Sequence, residues 1–110
     1  MPSEGAADGA TSPVASIDRL VHEPARFMIM ANLYVVEGAD FMFLMRRTGL
    51  TFGNLSSHLT KLEAAGYVRT KKGFLGKKPR TMVYLTERGR RAFDEYRAGM
   101  ERMLGDLPGH

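Results

Sequence analysis

The chain has 110 residues, too few for more than one domain, and its 44% apolar and 25% charged side chains are the balance of a folded protein. It has no cysteine, which excludes disulfides, thiolate catalysis and thiolate metal sites. The net charge of +4 is unevenly spread: residues 1–44 carry two basic against six acidic side chains, residues 45–80 carry nine basic against Glu63 alone, and the last thirty balance at five each. A cationic middle third is the distribution of a surface that meets an anionic partner.

In chain order, residues 1–16 are small, polar and rich in Gly, Ala and Ser, and read as a flexible N-terminal tail. Ile17–Val21 predicts a short helix. Ala25–Val36, behind Pro24 and apolar on most sides, predicts a helix enclosed by others, with Gly38 stopping it. Asp40 is placed to cap a second helix through Arg47, and Thr48, Gly49 and Leu50 connect it to a third. Thr51 is the cap of that third helix and Gly66 its C′ residue. Within it Leu55, Leu59 and Leu62 recur at the spacing of one buried face, and Gly53, Asn54, Ser57, Thr60, Lys61 and Ala64 fall outside. The period then changes. Tyr67–Phe74 and Arg80–Thr86 are β-rich, with "LGKKP" as a cationic connection, and predict a β-hairpin. Thr86 caps a last helix to Leu104 whose Phe93, Tyr96, Met100 and Met103 share a face, and residues 105–110 read as a flexible end.

Ser56, Ser57 and His58 invite a catalytic reading, which geometry defeats. Consecutive helical residues point about 100° apart and do not face one another. No orienting acid or oxyanion hole is marked nearby, so no enzyme is expected. His22, His58 and His110 belong to no ligand-spaced cluster, so neither a metal nor a cofactor is expected. No stretch approaches 18 uninterrupted apolar residues and no leader opens the chain. The expectation is therefore no membrane and a cytoplasmic location.

Two short helices joined by a tight turn, the second apolar inside and polar outside, fit the logic of a helix-turn-helix that places its second helix in the major groove. Thr51, Gly53, Asn54, Ser56, Ser57, His58 and Lys61 are the candidate DNA contacts on that helix. Ser56 is a flanking phosphate contact at best, and His58 lies between the DNA face and the core. The hairpin adds Arg69, Lys71, Lys72, Lys77, Lys78 and Arg80 as phosphate or minor-groove candidates, and Arg69 can instead pair with Glu63.

The phrases "HEPARFMIMANLYV", "LTFGNLSSHLTKLEAAGYV" and "KKGFLGKKPRTMVYLTERGRRAF" together resemble the small winged helix-turn-helix transcriptional regulators of the MarR/ArsR-like type, over residues 17–104. The resemblance implies a mainly α fold with a small β-hairpin (α+β). It further implies a homodimer that binds double-stranded DNA, with helix 51–65 in the major groove and residues 76–79 as the wing. Terminal helices would form the dimer interface, for which Ile17, Leu20, Phe93, Tyr96, Met100, Met103 and Leu104 are the candidates; Phe93–Met103 can equally cover the chain's own core. The chain lacks the cysteines of metal-sensing ArsR proteins and the longer terminal helices that frame a MarR ligand pocket, so no effector is assigned. A winged-helix module that binds proteins, or one that binds RNA, remains as an alternative. The methionines fall at core and interface spacings.

Overall fold

The computed structural model describes residues 17–109. The expected helix at Ile17–Val21 is a turn instead. Asp18 takes the amides of Leu20 and Val21 on its Oδ1 (2.9 and 3.3 Å), and a single helical bond joins His22 N to the Asp18 carbonyl at 2.9 Å. Glu23 is then extended (φ −89°, ψ 130°), as the residue before a proline prefers, so the helix must begin afresh at Pro24. The N-terminal tail assigned to residues 1–16 lies outside the described residues, as does His110.

Helix α1 (Pro24–Val36) starts with Glu23 accepting from the Arg26 amide at 2.8 Å, and it buries Ile29, Met30 and Leu33. It ends at Val36 as expected, but the residue that stops it is Glu37 and not Gly38. Glu37, at φ 69°, turns the chain and bonds back to the Leu33 carbonyl, and Gly38 opens a short strand, β1 (Gly38–Asp40). Three residues carry no legible period, so this strand exists only through its distant partner.

Helix α2 (Phe41–Thr48) is capped by Asp40, whose Oδ1 accepts from the amides of Met42 and Phe43 at 2.6 and 3.2 Å. Helix α3 (Phe52–Ala64) is capped by Thr51, which accepts from the Asn54 amide at 3.1 Å. Gly66 follows at φ 80°, the expected left-handed exit. Leu55, Leu59 and Leu62 are buried as their spacing predicts.

Strand β2 (Val68–Leu75) is shifted one residue along from the expected Tyr67–Phe74, β3 (Lys78–Leu85) starts two residues earlier than expected, and the connection is shorter. Leu75 pairs with Lys78, which leaves a two-residue turn, Gly76–Lys77. Gly76 has φ 65° and Lys77 no positive φ, the pattern of a type II′ turn whose twist matches its strands. Pro79 therefore lies within β3, opposite Phe74. It is tolerated because β1 covers only Met82–Tyr84, and at Pro79 that edge of β3 is open. The sheet order is β1-β3-β2, all antiparallel, so the expected hairpin is part of a three-stranded sheet.

Helix α4 (Glu87–Gly105) begins at Thr86, whose hydroxyl accepts from the Gly89 amide at 3.0 Å and donates to the Gly66 carbonyl at 2.6 Å. One side chain therefore caps α4 and fastens it to the exit of α3. Gly89 makes this approach possible, because a Cβ there would overlap the Tyr67 carbonyl oxygen and come within 2.9 Å of Leu85.

Val21, Ile29, Met30, Leu33, Leu44, Leu55, Leu62, Val68 and Val83 are fully buried in one core, each contributing on the order of 1.5–3 kcal/mol. Phe93, a candidate for the dimer face, belongs to this core. It is 6% exposed, with its ring 5.4 Å from Phe27 and 5.1 Å from Tyr34. Four helices and a small antiparallel sheet form a winged helix fold, and no described helix is long and apolar enough to cross a membrane.

Candidate nucleic-acid interface

The inner leucines of α3 hold it against the core and turn Gly53, Asn54, Ser57, Thr60 and Lys61 to solvent. Among the described residues the side chains of Asn54, Ser57 and Lys61 make no hydrogen bond or ion pair, so their donors and acceptors are open to a partner. Thr60 donates to the Ser56 carbonyl at 2.9 Å. Thr51 is exposed, with its hydroxyl engaged at the cap. A helix that is fastened on one side and uncommitted on the other can enter a groove without remodelling.

Ser56 is half-buried and faces a groove between α3 and the outer half of the hairpin, lined also by Phe41, Phe52, Lys72, Pro79 and Arg80. The start of α3 and the hairpin thus form adjoining walls. Phe52 is 63% exposed, with its ring 4.9 Å from Phe41, an apolar feature of this face that the sequence analysis missed. Its exposure had no sequence signal, since an aromatic at the first position of a helix is as often core.

His58 turns toward α1. Its Nδ1 lies 3.3 Å from the Arg26 guanidinium and 3.9 Å from a Glu23 carboxylate oxygen, and its side chain is 19% exposed. It braces α3 against the start of α1, away from the row of Asn54, Ser57 and Lys61. The adjacent serines and this ring form no hydrogen bond with one another, as the helical divergence requires.

On the hairpin Lys71, Lys72, Lys77 and Lys78 are exposed and, among the described residues, have no acidic partner. The two arginines are more committed. Arg69 does not pair with Glu63; its guanidinium lies 4.4 Å from the centre of the Tyr84 ring, directly across the strand pair, and Glu63 instead accepts from the Thr70 hydroxyl at 3.2 Å. Arg80 Nε lies 3.4 Å from Asp40 Oδ2. Asp40 therefore caps α2 with one oxygen and holds the hairpin with the other, a joint that sequence spacing cannot reveal.

At the far side Tyr67 donates to Asp18, tying the N-terminal turn to the exit of α3. Burial, reinforced by this hydrogen bond and the carboxylate charge, pushes the Tyr67 phenol up to about 12. Along α4, Tyr96 bonds His22 at 2.9 Å and packs on Phe27, while Met100 and Met103 are half-buried and Leu104 is 48% exposed. Ile17 and Leu20 are half-buried.

Residues 25–104 match the winged helix DNA-binding domain family. The chain is 38% identical over 78 residues to an uncharacterized protein of Methanocaldococcus jannaschii, covering 71% of this chain and 85% of that protein. A transcriptional regulator homologue from Pyrococcus horikoshii OT3 superposes with a TM-score of 0.75 at 28% identity, over 94% of this chain and 99% of its own. Reduced AbfR bound to DNA shares the fold, with a TM-score of 0.60 at 20% identity over 76% of this chain and 55% of its own. A helix open on its outer face, a cationic hairpin and the family match over most of the chain converge: the chain belongs to the winged helix DNA-binding domain family.

Proposed function

We propose that the chain is a homodimeric, sequence-specific regulator that reads double-stranded DNA with α3 in the major groove and sets its wing on the flanking backbone or minor groove. The observation that carries this reading is the division of α3. Three buried leucines fix its inner face while Asn54, Ser57 and Lys61 stand outward with no side-chain partner among the described residues. Asn54 is the base-reading candidate, since an amide can bond adenine bidentately, and Gly53 lets the backbone come close. Ser57 and Lys61 extend the row, and Ser56 and Thr51 serve the phosphates beside it.

Lys71, Lys72, Lys77 and Lys78 supply the sequence-independent part of affinity by releasing counterions from the duplex. Arg80 and Arg69 act as supports of the wing, because Asp40 and the Tyr84 ring engage them. His58 acts as a brace rather than a reader, for the same reason. Dimerisation falls to the outer half of α4, where Met100, Met103 and Leu104 offer apolar surface beside Tyr96, with the half-buried Ile17 and Leu20 of the N-terminal turn as further candidates. Phe93 takes no part, being spent in the chain's own core.

Selection of bound duplexes from a random pool tests the reading. The expected product is a two-fold symmetric site with half-sites about 34 Å apart. Lys77→Ala with Lys78→Ala should weaken binding to all duplexes nearly equally and lower the salt slope by about 1 per lysine, whereas Asn54→Ala should cost about 1–3 kcal/mol on the selected site and relax one base position. A double lysine variant that binds as tightly as the wild type across a salt series rules out the wing assignment, and recovery of no duplex at all would favour a protein-binding module.

A further inference from the structure

Phe74 and Leu75 end β2 with 73% and 63% of their surfaces in solvent, and among the described residues neither packs on the core or on another ring. Phosphate contact makes no use of them. They are ringed by Lys71, Lys72, Lys77 and Lys78, and every residue from Lys71 to Pro79 is exposed. On β3 the last half-buried residue before the turn is Arg80, paired with Gly73, so Leu75 stands two residues beyond it, a protrusion of about 7 Å at the rise of a strand. The two-residue turn adds almost nothing past the apolar pair, so the pair is the end of the hairpin. Strand alternation sets Phe74 on the face it shares with the buried Val68, and Leu75 on the other.

Resting on the reading of the chain as a duplex binder, we propose that Phe74, with Leu75 beside it, is an apolar wedge that enters the minor groove flanking the site of α3 and partly unstacks one base step. The groove, about 6 Å wide, excludes the body of a hairpin but admits a side chain. An aromatic or aliphatic wedge there opens a step and bends the duplex toward the major groove. Charge selects the occupant. Four lysines around an apolar tip match a polyanion with an apolar interior, and the groove that joins Ser56 of α3 to Lys72 and Pro79, the strand partner of Phe74, puts the tip on the duplex that α3 engages. The tight turn delivers the pair without a floppy loop, so little order is lost on insertion.

The test uses the full chain and the duplexes that the wild type selects, with 2-aminopurine at successive flanking steps. Binding by the wild type should raise the fluorescence at one step of each half-site, and circularly permuted fragments should report a bend. Phe74→Ala should abolish the rise and reduce the bend while weakening binding by about tenfold or less. Phe74→Lys should bind at least as tightly at low salt and still give no rise, which separates the wedge from charge. Because Phe74 touches nothing in the core, both variants should keep the wild-type far-UV spectrum. Equal fluorescence and bend for wild type and Phe74→Ala would overturn the wedge and leave duplex binding intact. So would Phe74-dependent binding to vesicles of phosphatidylserine and phosphatidylcholine with unaltered duplex affinity and bend, which would assign the tip to a lipid surface. A wild type that selects no duplex would overturn the parent reading and the wedge together.

Discussion

Helix α3 and the hairpin β2–β3 both face the proposed DNA, yet they are built in opposite ways. The helix is fastened along its length, by three leucines inside, by Thr51 at its start, and by Gly66, Thr86 and Tyr67 at its exit. The hairpin is held through Val68 and Val83 in the core, β1 along Met82–Tyr84 and Asp40 on Arg80, while β2 and the turn are exposed from Lys71 to Pro79. Base readout needs donors placed to a fraction of an ångström, which a fastened helix supplies. Phosphate contact needs only cations within reach, which an arm of the sheet supplies at little cost in packing. Stability should therefore reside around α3, and substitutions in the arm should alter binding while leaving the fold alone.

The sharpest way to break that contrast is a pair of glycine replacements. Gly89→Ala, where the added carbon would overlap the Tyr67 carbonyl, should lower unfolding stability by about 3 kcal/mol; Gly73→Ala, where it would meet open space, should stay within about 0.5 kcal/mol in urea melts. Comparable losses for the two would mean that the arm is as constrained as the helix. Thr86→Val comes next. It keeps the shape and removes both hydroxyl bonds, so the unfolding free energy should fall by about 1–2 kcal/mol, and Thr86→Ser should recover most of it.

The smallest effect is on pH. The Tyr67 phenol ionises near 12 in the fold and near 10 in the unfolded chain, so its contribution is fully present below about 10 and is lost as pH rises toward about 12. Tyr67→Phe should flatten this part of the pH–stability curve. An unchanged curve would remove Tyr67 from the fastening of α3.

How much of this was legible in the sequence depended on distance along the chain. The caps Asp40, Thr51 and Thr86, the leucine face of α3 and the exit at Gly66 were all readable, because each rests on residues a few positions apart. Strand β1 was not, since three residues show no period and its partners lie in β3. The short helix expected before Pro24 failed because the Asp18 side chain competes for its own turn's amides. Among the candidate DNA contacts, spacing correctly set Asn54, Ser57 and Lys61 outward. It had no means of seeing that Arg80 meets Asp40, that Arg69 lies on Tyr84, or that His58 leans on Arg26. For the same reason Phe93 fitted a stripe on α4 without revealing that Phe27 and Tyr34 would enclose it.

Asp40 gives its two oxygens separate tasks, the start of α2 and the set of the arm. An amide at this position retains an acceptor for the cap and drops the charge that holds Arg80. The set of the arm can thus change independently of the outer face of α3, and on the proposed reading a single change at position 40 would alter the span of duplex between helix and arm without altering the reader.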